Sequence, residues 1–254
     1  MSKTLQLFNC NKVKCYNLHL IMGNVEMRPF MLDVGEVYGA MQRADRKRFV
    51  YEAVLDPEER IRARMGLAAD VKIEPNCYST ISNDEIVRDM LLAVDLQSGS
   101  KLLEIGTGTG YSAACAAEVV GPSGKVITIE HDEGLANNAL WRLSRYGYEN
   151  IEVLHGDGAY GFEEEAPYDG IIVTAACSII PSDLEDQLKD GGKIVLPRAV
   201  DDDYGELETL IKRRDGLVRL TSRSVRFVPL VSDSVSGWGV QELNLFLKNN
   251  GMVE

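Results

Sequence analysis

Two carboxylates and a run of alternating glycines are the residues of this chain best suited, by type and spacing, to do chemistry. In Lys101-Leu-Leu-Glu-Ile-Gly-Thr-Gly-Thr-Gly-Tyr-Ser-Ala113 a short apolar strand carries Glu104 near its end, runs into Gly106, Gly108 and Gly110, and gives way to a helical pattern. Glycines let a backbone approach a ligand closely, and the N–H groups that open the helix face it. Spacing alone does not choose the ligand, because Gly108 to Ala113 also fits the G-x-G-x-x-A pattern of dinucleotide sites. Glu104 discriminates. Its charge repels a pyrophosphate, whereas S-adenosyl-L-methionine brings a cationic amino group and a sulfonium to meet it. Further on, Lys125-Val-Ile-Thr-Ile-Glu130 reads as a second strand ending in an acid placed for ribose hydroxyls. The cofactor read from these residues is therefore S-adenosyl-L-methionine.

The surrounding pattern supplies a scaffold for such a site. A helix from Tyr111 to Val120, the strand 125–130, a helix from Gly134 to Tyr146, a strand Ile151–His155, a strand Tyr168–Thr174, a helix Pro181–Leu188 and a strand Gly192–Pro197 alternate regularly. This βαβ alternation predicts a mostly parallel sheet with helices on both faces and the ligand at the carboxyl ends of the strands. Glu206–Arg214, a turn at Asp215-Gly216, and Leu217–Leu230 change period and predict an antiparallel strand pair attached to that sheet. The fold class is α/β, a Rossmann-like sheet of the S-adenosylmethionine-dependent methyltransferase type preceded by an N-terminal helical cap.

Upstream, apolar residues at helical spacing predict a helix over Val34–Arg48, and Asp56-Pro-Glu-Glu59 predicts another helix start. Ser79-Thr-Ile-Ser82 leads into an amphipathic helix from Asn83 to Val94, with Ser82 and Glu85 spaced as a capping box. Leu18–Met22 with Gly23-Asn24 suggests a strand and turn, and Trp238–Lys248 a short terminal helix. The expected organisation is an arm or hairpin over 1–35, a helical substrate-facing cap over 36–98, the methyltransferase domain over 99–230 and a tail over 231–254.

The formal net charge is −12, from 27 Lys and Arg against 39 Asp and Glu. That balance argues against a surface built for nucleic acid. The cysteines Cys10, Cys15, Cys77, Cys115 and Cys177 form no C-x-x-C pair and have no histidine cluster nearby, so no metal site is expected. No apolar run approaches the roughly 20 residues of a membrane span, and no signal-peptide core follows Met1. The expectation is a cytoplasmic protein without a membrane partner.

Taken together, Leu103–Tyr111, His155-Gly-Asp-Gly158, Ile171-Ile-Val-Thr-Ala-Ala176, Ile194–Pro197, Val225-Arg-Phe-Val-Pro-Leu230 and Thr80-Ile-Ser82 resemble the protein-L-isoaspartate O-methyltransferases. The likeness spans roughly residues 36–230, and it is the ordered set rather than any one motif that makes it specific. The resemblance implies that Gly106, Thr107, Gly108 and Gly110 wrap the methionine part of the cofactor, that Glu130 binds the ribose, and that Asp157 and Gly158 reach the adenine. Tyr111, His131 and Thr174 complete the implied cofactor set. Ser82 and Thr80 become the candidate catalytic residues, and Ile81, Ser82, Val225, Arg226, Phe227 and Val228 the candidate substrate contacts.

The chemistry so implied is methylation of a peptide or protein carboxylate. A carboxylate is already ionised at neutral pH and needs no general base, so hydroxyls that orient it suffice. The family usually has a proline and an aromatic residue or histidine after Thr-Ile-Ser, where this chain has Asn83-Asp84-Glu85. That departure favours a specialised peptide carboxylate, such as the C-terminus of a ribosomally made peptide, over general isoaspartate repair as the alternative. A nucleobase methyltransferase and a non-catalytic cofactor-binding module are the further readings.

Overall fold

The computed structural model describes residues 32–50, 57–67, 69–74, 77–199, 205–225, 227 and 230–232, all within one compact unit that begins at Leu32. The expected N-terminal strand at 18–22, the cap residue Asp56, and the terminal helix at 238–248 lie outside the described residues.

The scaffold grows from five apolar strands: β3 (Lys101–Ile105), β4 (Lys125–Glu130), β5 (Ile151–His155), β6 (Tyr168–Val173) and β7 (Leu188–Ala199). They pair in parallel in the order β5-β4-β3-β6-β7. The sheet continues through β8 (Gly205–Arg213) and β9 (Gly216–Val225), both antiparallel to their neighbours, as the change of period predicts. Strands on either side of β3 connect in opposite directions, so the turn after β3 lies at the switch point where ligands of open α/β sheets bind.

Side-chain alternation divides the core into two layers. Leu102, Ile172 and Val195 face α1 (Val34–Ala44), α3 (Asp84–Val94) and α4 (Tyr111–Val120), while Leu103, Ile171 and Ile194 face the layer containing α6 (Ser182–Asp186). Glu104 shares its side of β3 with Leu102 and therefore points under α4. On the parallel strands, β4 and β5 coincide with the sequence expectation, as does α4. The helix α5 (Glu133–Arg145) starts one residue earlier than expected, because Asp132 caps it by accepting from Leu135 N–H at 2.9 Å.

The region before β3 departs further from expectation. Helix α1 ends at Ala44, and Asp45 in the left-handed region leads into a short 3-10 turn, Arg46–Phe49, in place of a continuous helix to Arg48. Helix α2 (Pro57–Arg64) begins on its proline as predicted. Between α2 and α3 stands an antiparallel hairpin, β1 (Ala69–Glu74) with β2 (Cys77–Ile81), within the region 36–98 expected to form a helical cap. The strand β7 is likewise longer than expected and begins at Leu188, next to an α6 shorter than predicted.

The antiparallel end of the sheet is tied by charge. Glu208 on β8 is fully buried and lies 2.8 Å from Arg198 Nε on β7 and 2.6 Å from Arg219 Nη2 on β9. A buried carboxylate is tolerated only with such partners, and removing one strands part of its charge. Replacing Arg198 by Met should therefore cost about 3 kcal/mol of stability, read as a lowered urea midpoint with unchanged slope.

Candidate active site

All three glycines of the turn after β3 have positive φ, +93° at Gly106, +52° at Gly108 and +85° at Gly110, a region L side chains rarely enter. The turn is held from below. Gly106 N–H donates to Ile129 O at 2.8 Å, and the Thr174 hydroxyl lies 2.7 Å from the Gly106 carbonyl and 3.0 Å from that of Ile105. A Cβ on Gly106 would collide with that hydroxyl, and one on Gly110 would stand 3.3 Å from Leu143. The buried Arg142 of α5 donates from Nη1 to the Thr109 carbonyl, and burial lowers its pKa to about 10.

Glu130 joins this turn to the next. Its Oε2 accepts from Gly108 N–H at 2.8 Å and its Oε1 from Asp132 N–H at 3.1 Å, so one carboxylate ties the loops after β3 and β4. It is 9% exposed, and burial, opposed by these backbone donors, raises its pKa. Glu104 is more deeply set, with no exposure at all. Thr128 Oγ1 donates to its Oε2 at 2.7 Å, and the Thr107 hydroxyl lies 2.7 Å from Thr128 Oγ1, so a line of hydroxyls connects the glycine turn to this carboxyl. Burial pushes the Glu104 pKa up to about 7, with Thr128 and Ser112 opposing and the neighbouring Glu130 adding to the rise. Its Oε1 makes no hydrogen bond of ordinary geometry among the described residues.

Two buried acids at the ends of adjacent strands suit a ligand that is cationic at one point and carries hydroxyls at another. S-adenosyl-L-methionine fits that donor and acceptor set. Among the described residues no group of three or more His, Cys, Asp or Glu side chains is arranged to hold a metal ion.

The other expected cofactor residues fall along the same carboxyl edge of the sheet, with different surroundings. Asp157 follows β5, accepts from Ala159 N–H at 2.9 Å through Oδ1 and from the Ser232 hydroxyl at 2.8 Å through Oδ2. Gly158 is needed for packing, since a Cβ there would overlap Ile105. His131 keeps a buried Nδ1 without a hydrogen bond among the described residues. Thr174 supports the backbone of the turn, and Tyr111 is buried with its hydroxyl donating to Asp84 Oδ1 at 3.0 Å.

On the facing side, Thr80 and Ile81 end β2, and Ser82 lies between β2 and α3. Sequence spacing assigned the cap of α3 to Ser82; the structure assigns it to Asn83, whose side chain accepts from Ile86 N–H at 2.7 Å. The Ser82 hydroxyl makes no hydrogen bond among the described residues, while its carbonyl accepts from Arg46 at 2.7 Å. Asp84, an acid of the unexpected Asn-Asp-Glu sequence, is paired with Arg46 at 2.9 Å and with Tyr111. Ile81, Val225 and, partly buried, Phe227 belong to one apolar cluster. Arg226 and Val228 lie outside the described residues. Sequence reasoning missed Arg46, Thr128, Arg142 and Ser232, which act through contacts distant in the chain.

Sheet order, glycine turn and paired acids define a Rossmann-like methyltransferase fold. Residues 21–235 match the protein-L-isoaspartate(D-aspartate) O-methyltransferase family. A protein-L-isoaspartate O-methyltransferase of Ignicoccus hospitalis is 42% identical over 198 residues, covering 78% of this chain and 90% of that one. A solved protein-L-isoaspartate O-methyltransferase superposes with a TM-score of 0.71 at 27% identity, covering 86% of this chain and 66% of the other. A second, a Plasmodium falciparum protein in complex with S-adenosyl-L-homocysteine, superposes at 0.63 with 26% identity, covering 79% of this chain and 92% of that one. The chain belongs to the protein-L-isoaspartate O-methyltransferase family.

Glu104 links this site to folding. In the folded state it keeps its proton up to about pH 7, against 4.5 for an ordinary glutamate. Between these values the folded state binds more protons than the unfolded, so stability falls as pH rises through the window, by up to ~3 kcal/mol. Glu104→Gln should remove the Glu104 share of that fall and exceed the parent in stability at pH 8, while losing cofactor affinity. Urea titrations at pH 5 and pH 8, with calorimetry of cofactor binding, measure both effects.

Proposed function

We propose that the protein transfers a methyl group from S-adenosyl-L-methionine to the free α-carboxylate of isoaspartyl residues in peptides or proteins. Bound, the cofactor supplies a methyl group made electrophilic by its sulfonium. Glu104 would hold the amino group, with Thr107 and the glycine backbone around it, and Glu130 the ribose hydroxyls. Asp157 would take the adenine side, with His131 and Thr174 flanking.

What remains for this chain is to hold one carboxylate oxygen in line with the methyl group, catalysis by orientation rather than by proton transfer. The observation that carries this reading is Ser82: its carbonyl is fixed by Arg46, its hydroxyl makes no hydrogen bond among the described residues, and Asn83 has taken over the capping. Thr80, two residues before it, is the second hydroxyl of the acceptor side. Ile81, Val225 and Phe227 would furnish the apolar side of the substrate contact.

The same geometry weakens the specialised-peptide reading. That reading rested on acids standing where a carboxylate must enter, yet Asp84 is neutralised by Arg46 and hydrogen-bonded to Tyr111. Isoaspartate, the substrate in the names of the relatives, is the better supported reading. Among the described residues no helix is long and apolar enough to cross a membrane.

Mass spectrometry on peptides bearing isoaspartate, an ordinary aspartate with a free C-terminus, or a blocked C-terminus tests the assignment. One methyl group should appear on the isoaspartyl residue alone; methylation confined to ordinary C-termini would overturn it. Ser82→Ala should lower kcat on the order of 10²-fold while leaving the melting temperature and cofactor affinity near those of the parent. The roughly 1 kcal/mol loss expected of a missing cap should instead follow Asn83→Ala.

A further inference from the structure

We infer that Arg46 is a positioning residue for methyl transfer, a single buried guanidinium that fixes the acceptor loop at Ser82 against the cofactor turn; this rests on the role proposed above for Ser82. Arg46 is only 6% exposed. Its Nε donates to Ala63 O at 2.6 Å, its Nη2 to Leu67 O at 2.7 Å, and its Nη1 to Ser82 O at 2.7 Å and Asp84 Oδ1 at 2.9 Å. The guanidinium lies over the Tyr111 ring, 5.1 Å from its centroid. With its donors committed in this way, Arg46 does not serve as a substrate-carboxylate receptor. It is a junction.

The junction joins three separate parts of the chain. Ala63 lies in the last turn of α2 and Leu67 just beyond the end of that helix, where the negative end of the helix dipole favours a cation. Ser82 and Asp84 belong to the acceptor loop, which is also held by Asp84 N–H donating to Gly66 O at 2.8 Å. Tyr111 opens α4 directly after Gly110, and its hydroxyl reaches the same Asp84 oxygen that Arg46 does. The loop that presents the nucleophile is thereby referenced to the turn that presents the methyl donor. Methyl transfer is steeply sensitive to that separation, since a displacement of about 1 Å can cost 10²-fold in rate.

The test uses the full-length protein with an isoaspartyl peptide. Lysine brings a point charge without the planar fork, so Arg46→Lys cannot reach the same four acceptors. It should lower kcat roughly ten- to hundredfold, with peptide KM and cofactor affinity held within about threefold. Amide hydrogen exchange over residues 80–85 should accelerate. Asp84→Asn, which still accepts from Arg46 and Tyr111, should keep most of the turnover that Asp84→Ala loses. Combining Arg46→Lys with Ser82→Ala should slow the enzyme little beyond the slower single variant, because the two act in one line.

Parental kcat and loop exchange in Arg46→Lys, a loss confined to KM, or full multiplication of the two effects would overturn the inference. Undiminished turnover in Ser82→Ala counts instead against the role given to that serine. Loop exchange, which does not depend on turnover, then still decides whether Arg46 holds the loop.

Discussion

The structure depends on keeping two carboxylates, Glu104 and Glu130, next to each other in a place with almost no water. Burial alone would drive both to take up protons, and their mutual repulsion adds to that for Glu104. The backbone N–H groups of Gly108 and Asp132 and the hydroxyl of Thr128 offset part of this cost. The shape of the loops follows from that need, since the turn must bring Gly108 N–H down onto Glu130, and only residues free to adopt positive φ do so without strain. A cationic ligand relieves the remaining repulsion, whereas a pyrophosphate would aggravate it.

Much of this arrangement was legible in the sequence because it is local. The strands β4 and β5 and the helix α4 are bounded by glycines or charged residues at the points where the apolar run ends, and their limits agree with the pattern. The glycine turn and both acids are contiguous with strands that announce themselves. The hairpin β1–β2 was missed although Ala69-Asp-Val-Lys-Ile-Glu74 alternates as a strand should, because the helices on either side dominated the reading. The start of β7 was hidden by Lys189-Asp-Gly-Gly192, which reads as a turn until the neighbouring β6 supplies pairing.

What the sequence could not display is burial imposed on charged residues from a distance. Arg46 falls in a basic stretch that reads as an ordinary helix end, and nothing near it distinguishes it from Arg43 or Arg48. Its hydrogen-bond partners lie between 17 and 38 residues away. Arg142 lies on an amphipathic helix where a solvated arginine would be unremarked, yet it supports the Thr109 carbonyl. Ser82 illustrates the opposite error: its spacing to Glu85 satisfies a capping pattern, but the asparagine one position later fits the helix geometry better.

The strand β9 closes the sheet with a ten-residue edge whose residues from Val218 to Ser224 are exposed, and among the described residues no strand pairs with its outer side. An edge of this length invites addition of a strand from another copy. Antiparallel self-pairing centred on Thr221 would set Arg219 opposite Arg223, like charges at the closest cross-strand distance. The arginine that helps bury Glu208 thus has a second effect. Its charge also disfavours pairing of this edge strand with a second copy of itself.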